Sequence, residues 1–206
     1  MKVHNVQQRT DDWHMLRKGV ITGTGLKKVL GTKLVKDKYF YELLAEKLTI
    51  GIPDGESAMD RGTRLEEVAV QKFTEQTGKE VDLIGFVTMD GNDSIGSSPD
   101  GLIKNKKGIY TEAVECKCLS SANHLKTFIE QKIPEEYYEQ GVQYFIVNPK
   151  LEKLHYCFYD DRLELAQFFI IEMTKKQVAL DIEEYKQAQI NFLKQIDEAM
   201  DRLITL

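Results

Sequence analysis

The stretch GSSPDGLIKNKKGIYTEAVECKC, residues 96–118, holds two strand patterns on either side of a turn at Lys107-Gly108. Successive side chains of a strand point to opposite faces, so Glu115 and Lys117 share one face. If the turn is tight, the two strands pair as a hairpin and Asp100 lies directly opposite Glu115. The sequence therefore predicts a sheet near the middle of the chain, with two acids and a lysine gathered on one of its faces.

Directly opposed residues have Cβ atoms about 4.5 to 5.5 Å apart, so the carboxylates of Asp100 and Glu115 would repel each other. A divalent cation between them removes the repulsion, and oxygen ligands suit Mg²⁺ or Mn²⁺. Lys117 would then hold or deprotonate an attacking water and offset negative charge that develops in the reaction. The alternative is that Asp100 is an ordinary residue of the SPDG turn, and that Glu115 and Lys117 form a surface ion pair.

Helical patterns precede and follow this sheet. Helices are predicted over Asp11–Gly19, from Thr22 or Thr24 to Gly31, over Tyr39–Leu48 up to the Gly51-Ile52-Pro53 break, over residues 58–78, from Ala122, over Glu135–Val147 and over Lys175–Leu203. Strands are predicted over Lys79–Thr88, Ser94–Ser98 with Leu102-Ile103, Ile109–Leu119 and Lys153–Tyr159, and Lys33–Lys38 is predicted to be a basic loop.

This order of elements indicates an α/β chain of the α+β type, with a central mixed sheet flanked by helices. We expect one domain over residues 1–206, with N-terminal helices at 11–78, a catalytic sheet at about 79–160 and a long C-terminal helix at about 175–204. The apolar stripe of that last helix, about seven turns long, is either a self-association surface or part of the chain's own core.

The composition is that of an ordinary globular protein, with 206 residues, of which 42% are hydrophobic and 30% charged. It excludes disulfide scaffolds and intrinsic disorder. The three cysteines, Cys116, Cys118 and Cys157, provide no set of four and so speak against structural zinc or an iron–sulfur cluster. No apolar run of membrane-spanning length and no signal peptide is found, so we expect a cytoplasmic protein without a membrane partner.

The charge is unevenly distributed along the chain. The net charge of −5 argues against a polyanionic partner, but residues 1–50 hold ten Lys and Arg against five acids. This basic end either meets phosphate or is a solvated basic face.

The residues around Asp100, Glu115 and Lys117 resemble the PD-(D/E)XK nuclease signature. Further blocks are similar to the lambda exonuclease branch, the YqaJ-like viral recombinase nucleases, in the expected order over roughly residues 9–148. These blocks are DDWHMLRKGVITGTGL (11–26), YFYELLAEKLTIG (39–51), RGTRLEEVAVQKFTEQTG (61–78), GSSPDGL (96–102), VECKC (114–118) and YYEQGVQYFIVN (137–148). The resemblance implies a PD-(D/E)XK restriction-endonuclease-like core.

The resemblance also implies roles for the residues of a metal site. Asp100, Glu115 and the Cys116 carbonyl would hold the metal, which is expected to be two Mg²⁺ ions, with Mn²⁺ as a substitute. Lys117 would be the catalytic lysine. Glu66 matches the helical acid that completes the site. The alternative is that Glu66 is a solvated helix residue next to Glu67. Gln140 matches a glutamine that reaches the site from the following helix. Gln143 is a weaker candidate, because the family spacing of glutamines is not kept here.

For the DNA itself, the resemblance implies that Arg17 binds the 5′-phosphate, with Thr24 and Ser98 completing the pocket. Otherwise Arg17 only closes its helix by interacting with the dipole. The hairpin tip Lys104–Lys107 is longer than the family needs and is expected to be a local addition that touches DNA.

The function implied is that of a metal-dependent 5′-to-3′ exonuclease. It would degrade one strand of linear double-stranded DNA to 5′-mononucleotides and leave a 3′ single strand. Family members form trimers around DNA and pass that strand to a single-strand annealing protein, so a homotrimer and such a partner are expected. The alternatives are an endonuclease or a RecB-type nuclease module of the same fold, and a non-catalytic DNA-binding or assembly protein.

Overall fold

The computed structural model describes residues 1–48, 60–119, 121–163 and 165–204. Its helices are α1 (Asp11–Arg17), α2 (Gly23–Leu30), α3 (Lys33–Leu48), α4 (Asp60–Thr77), α5 (Ser121–Glu130), α6 (Tyr138–Val147) and α7 (Ala179–Ile204), with a 3₁₀ turn at Glu135–Tyr137. Its strands are β1 (Lys2–His4), β2 (Phe86–Met89), β3 (Asn92–Ser97), β4 (Gly101–Lys104), β5 (Tyr110–Lys117), β6 (Lys153–Tyr159) and β7 (Phe168–Thr174).

The strands form two sheets. An antiparallel sheet has the order β1-β2-β3, and a mixed sheet has the order β4-β5-β6-β7, in which β5 and β6 run parallel and the other neighbours are antiparallel. Helix α4 packs on one face of the mixed sheet through the core of Leu65, Ala69 and Phe73, while α6 covers the other face. The predicted mixed sheet flanked by helices is confirmed.

Next to the acids, the hairpin between β4 and β5 has the expected register, but an irregularity between Ile103 and Lys104 shifts the pairing by one residue toward the turn, where Lys104 pairs with Tyr110. Gly101 pairs with Val114 and Leu102 with Ala113, so the same register carried back one residue sets Asp100 against Glu115. The turn closes at Gly108, whose φ of +75° is a conformation that glycine adopts without steric cost. The hairpin thereby delivers an acid from each strand to one end of the sheet.

Helix α1 sets the position of Arg17, its last residue. Its N-cap is Thr10, whose hydroxyl accepts a hydrogen bond from the Trp13 backbone N–H, and Asp11 and Asp12 lie in the first turn rather than at the cap. Trp13 is buried, and its indole N–H donates to the Gly85 carbonyl at 2.9 Å. These contacts fix the helix against the antiparallel sheet.

The prediction of a basic loop over Lys33–Lys38 is wrong, because α3 already begins at Lys33. All six side chains are exposed, and apolar residues do not recur among them at helical spacing, so this segment gives no helical signal in the sequence. The helix propagates back from the packed residues Tyr39 and Leu43 and gains an ion pair between Lys33 and Asp37 at 2.5 Å.

Other predicted boundaries also move. The strand expected over Lys79–Thr88 is confined to β2, and before it Asp82 makes a single bridge to Leu102. Strands β1 and β7 were not predicted. Because of β7, the mixed sheet continues past residue 160, and the last helix begins at Ala179 instead of Lys175. The segment expected as a helix over Glu135–Val147 starts with a 3₁₀ turn. The predicted break at Gly51-Ile52-Pro53 lies outside the described residues.

The apolar stripe of α7 packs within the chain. Phe192 stacks on Tyr39 with ring centroids 5.7 Å apart, and Ile196 is fully buried. Gln189 exchanges side-chain hydrogen bonds with Gln143 of α6, at 2.9 and 3.0 Å. The stripe therefore belongs to the core and carries no argument for self-association. In the part of the chain that the structure describes, no helix is long and apolar enough to span a membrane.

Candidate active site

A cleft of about 180 Å³ opens where β3, the hairpin and the first two helices meet. It brings together the predicted site residues Arg17, Thr24, Glu66, Ser98, Asp100, Glu115, Cys116, Lys117 and Gln140. It is also lined by residues that the sequence analysis did not assign to it, namely Gln8, Arg9, Trp13, Thr22, Gly23, Ser97 and Tyr144. The cleft thus brings together side chains that are as distant in the sequence as Gln8 and Tyr144.

Asp100 sits at the entry to β4, where its Oδ2 accepts the backbone N–H of Cys116 at 2.7 Å. Burial, followed by the charges of Glu115 and Glu66, raises the pKa of Asp100 well above its ordinary value. The acids are therefore close enough to interact, as the hairpin register requires. A cation between the two carboxylates would remove this unfavourable interaction.

Glu115 is 5% exposed and is held at both oxygens. Its Oε1 accepts from Lys117 Nζ at 2.7 Å and from Gln140 Nε2 at 2.6 Å, and its Oε2 accepts from the Tyr144 hydroxyl. The alternative of a surface ion pair is wrong, since the Lys117 and Glu115 side chains are only 16% and 6% exposed. A buried pair of this kind has a fixed geometry.

Lys117 is held by three groups. Besides its bond to Glu115, its Nζ donates to Gln140 Oε1 at 3.0 Å and lies 4.6 Å from the ring centroid of Tyr137. Burial alone would lower the pKa of Lys117, but the Glu115 carboxylate outweighs it and the pKa is raised. Lys117 is therefore an ammonium in this arrangement, which suits a donor to negative charge better than a base.

The other wall of the cleft carries a guanidinium and several hydroxyl groups, which are groups that bind anions. The Arg17 guanidinium lies 4.1 Å from the centroid of the Trp13 ring, and the first turn of α2 brings Thr22 and Thr24 to the same space. The buried Oγ atoms of Ser97 and Ser98 have no hydrogen-bond partner among the described residues. Unpaired buried hydroxyls are costly unless a ligand satisfies them, and phosphate oxygens accept such bonds.

Glu66 reaches the cleft from α4, and its Oε2 lies 2.6 Å from Arg9 Nη2. It is thus an ion-pair partner and not a solvated helix position. Among the described residues no three His, Cys, Asp or Glu side chains form a ready-made metal cage. The oxygen donors of Asp100, Glu115 and Glu66 nevertheless fit Mg²⁺, which is commonly held by one or two carboxylates together with waters and substrate phosphates.

Three predicted positions lie apart from this chemistry. Gln143 is fully buried and donates to the carbonyls of Ile21 and Gly96, so it is a structural residue. On the hairpin tip, Lys104 pairs with Asp82 at 2.7 Å, and DNA contact by that tip stays a prediction. The thiol of Cys116 lies in the core beside α4, which leaves only its backbone to serve the cleft.

Of the cleft residues that the sequence analysis did not assign, Tyr144 and Arg9 contact its carboxylates directly. Tyr144 follows Gln140 by four positions and therefore shares its helix face, a spacing that was sufficient to find it. Arg9 lies in a turn before α1, where no periodic pattern marks which side chains point inward.

The chain is similar to known proteins along most of its length. A model of the YqaJ-like viral recombinase domain matches residues 12–148. The chain is similar to the alkaline exonuclease LHK-Exo from Laribacter hongkongensis, with 26% identity over 95% of this chain and 97% of that chain and a TM-score of 0.81. The structure of LHK-Exo in complex with dAMP matches at 25% identity over 95% of this chain and 99% of that chain, with a TM-score of 0.79.

A phage-related exonuclease from Haemophilus somnus 129PT shares the fold at 14% identity, with a TM-score of 0.62 over 88% of this chain and 96% of that chain. No match was found among curated protein sequences. The core is accordingly that of the PD-(D/E)XK nucleases. Since the family model covers residues 12–148, which is more than half of the chain, the chain belongs to the YqaJ-like viral recombinase family and is a nuclease acting on DNA.

Proposed function

We propose that the chain is a Mg²⁺-dependent exonuclease that digests one strand of linear duplex DNA from its 5′ end. The observation that supports the polarity is the presence of two chemistries in one cleft. Arg17, Thr24 and the unpaired Ser98 hydroxyl form an anion pocket, and Asp100, Glu115 and Lys117 lie beside it. A terminal 5′-phosphate in that pocket places the adjacent phosphodiester over the carboxylates.

Each residue then has a distinct task. Arg17 and the hydroxyls bind the terminal phosphate, and this contact orients the strand. Asp100, Glu115 and Glu66 would hold Mg²⁺, which when bound acts as a Lewis acid and lowers the pKa of water. Lys117, as an ammonium, stabilises negative charge on the phosphoryl oxygens during in-line attack by water. Gln140 and Tyr144 keep Glu115 and Lys117 in position through the hydrogen bonds described above.

The products of this reaction are 5′-mononucleotides and a 3′ single strand. The match to LHK-Exo in complex with dAMP supports a site that accommodates a 5′-mononucleotide. We extend to this chain the homotrimer and the single-strand annealing partner that the family resemblance implies, together with the cytoplasmic setting expected from the sequence. These would let the exposed strand pass directly into recombination.

The test uses linear duplex carrying a 5′-phosphate, labelled at either the 5′ or the 3′ end of one strand, beside closed-circular duplex. We expect labelled mononucleotide to be released at once from the 5′ label and late from the 3′ label, with the circle intact and no digestion in EDTA. Nicking of the circle would indicate the endonuclease. Early release of the 3′ label would overturn the polarity, and binding without any digestion would indicate the non-catalytic DNA-binding protein.

A further inference from the structure

Arg9 occupies an unusual backbone position at the mouth of the cleft. Its φ is +66°, in the left-handed region that residues with a Cβ atom rarely adopt. The turn around it is fixed, because Thr10 Oγ1 donates to the Gln7 carbonyl at 2.8 Å and Gln8 Nε2 donates to the Pro99 carbonyl at 2.9 Å. Pro99 directly precedes Asp100, so this turn is tied to the loop that carries the acid.

The Arg9 side chain ends among the carboxylates. One guanidinium nitrogen lies 2.6 Å from one oxygen of Glu66, and the two side chains are 35% and 27% exposed. Solvent can therefore reach both partners, and an ion pair at that exposure contributes little to stability. The pair is consequently weak enough to be exchanged for another anion.

Among the described residues that line the cleft, the other two cations are held more firmly. Lys117 is bound by Glu115 and Gln140, and Arg17 is stacked on Trp13. Arg9, in contrast, contacts Glu66, a partly exposed acid at the rim of the cleft. A guanidinium matches two oxygens of a phosphate in a planar fork, which is a better partner than the single carboxylate oxygen seen here.

We propose that Arg9 is a DNA-binding residue that exchanges Glu66 for a phosphodiester of the bound strand. This contact is additional to the one made by Arg17, and the exchange leaves Glu66 available to the carboxylate site. The inference rests on the proposed function only in taking DNA in this cleft as the substrate. It does not depend on the direction of digestion.

The experiment measures binding of a 5′-phosphorylated duplex by fluorescence anisotropy in EDTA, over a series of salt concentrations. Removal of one phosphate contact lowers the slope of log K against log salt by about 0.9. For Arg9→Ala we expect that change and an affinity loss of about tenfold at low salt, with Arg9→Lys in between. The matched control is Lys153→Ala, which removes a cation whose 2.9 Å ion pair with Glu172 lies outside the cleft. It should bind as the wild type does.

Arg9→Ala also uncovers the negative charge of Glu66, which by itself would repel DNA. The double variant Arg9→Ala/Glu66→Gln removes both charges and keeps the net charge of the pair. If Arg9 contacts phosphate, this variant still loses affinity and slope. If it binds like the wild type, Arg9 merely neutralises Glu66 and the proposal is overturned. Wild-type protein that binds DNA but does not digest it would refute the proposed function, while the Arg9 comparison would still be decided.

Discussion

Lys117 and Glu115 project from the same face of β5 and meet through a 2.7 Å contact between Nζ and Oε1. They are two residues apart, so the pleat of the strand alone brings them side by side. Gln140 bonds to both partners from α6 and closes a triangle of donors and acceptors. The cation is thereby fixed next to the carboxylates before any substrate arrives.

Replacing Lys117 with alanine should abolish strand digestion and leave the binding of DNA ends largely intact. The ammonium acts at the chemical step, and loss of such a group costs about 10²-fold or more in rate. Single-turnover digestion and anisotropy on the same variant measure the two properties separately. A variant that keeps half of the wild-type rate would contradict the role given to Lys117.

Asp100→Asn and Glu115→Gln should each weaken the binding of divalent metal, because each removes a charged oxygen ligand. Calorimetric titration with Mn²⁺ measures this without any turnover. Asp82→Asn is the matched control, since Asp82 pairs with Lys104 outside the cleft. Unchanged Mn²⁺ affinity in both cleft variants would show that the carboxylates do not form the metal site.

Arg17 should determine the preference for phosphorylated ends. A charge-assisted bidentate contact contributes about 1.5 to 3 kcal/mol, which is roughly ten- to a hundredfold in rate if it is made in the transition state. Wild-type protein should therefore digest 5′-phosphorylated duplex faster than 5′-hydroxyl duplex by that factor, and Arg17→Ala should treat the two alike. Should the variant keep the full preference, Arg17 serves only to close α1.

Gly23→Ala should lower activity through Gln140. A Cβ atom at this position would lie 2.8 Å from Cγ of Gln140, so the glutamine side chain must shift and its bonds to Lys117 and Glu115 are disturbed. Misplacement by about 1 Å near reacting groups can cost on the order of 10²-fold in rate. The double variant Gly23→Ala/Gln140→Ala should be no slower than Gln140→Ala, because alanine at position 140 lacks the Cγ atom that the added methyl group would meet. Fully additive losses would place the effect elsewhere.

His155 should make stability depend on pH at a point distant from the cleft. It is 2% exposed, and burial lowers its pKa even though Glu112 bonds to it, with Lys79 and Glu172 also nearby. The unfolded chain therefore binds a proton that the folded chain does not. Stability should fall as pH drops below the unfolded value of about 6.5 and continue to fall until the lowered folded pKa is passed.

Urea unfolding of wild type and His155→Gln between pH 8 and pH 5 tests this. The variant should lose part of the pH dependence in that range. Glu112, whose pKa is lowered because its bonds to Lys79 and His155 outweigh burial, contributes mainly below about pH 5 and so affects this range little. Identical pH profiles for the two proteins would exclude His155 as a contributor.

The hairpin and its acids were predictable because they depend on local rules. Alternation places Glu115 and Lys117 on one face. The alignment of Asp100 with Glu115 also requires the one-residue shift between Ile103 and Lys104, because the pairing next to the turn is offset by one residue. The helices with apolar spacing were predictable for the same reason. That these side chains meet Glu66 and Arg17 in one cleft followed only from the resemblance, since no local pattern measures a distance between remote segments.

The segments that were missed lack a local signal. Strand β7 has an irregular burial pattern, because it packs at the edge of the sheet with Glu172 pointing to an ion pair, so alternation is obscured. The start of α3 is entirely exposed and depends on the helix that follows it. Arg9 lies in a turn that is held by the hydrogen bond from the neighbouring Gln8 side chain to the Pro99 carbonyl, 91 residues away from Gln8.

The parallel pairing of β5 with β6 has a consequence for the order of folding. The hairpin that carries Asp100 and Glu115 is local in sequence, whereas Glu115 gains its neighbour Tyr156 only after the intervening α5 and α6 have been made. Non-local contacts of this kind form slowly, because loop closure must precede them. During synthesis, β5 therefore cannot gain this neighbour until about residue 159 has left the ribosome. A chain truncated before β6 would carry both acids on a hairpin whose β5 lacks its parallel partner.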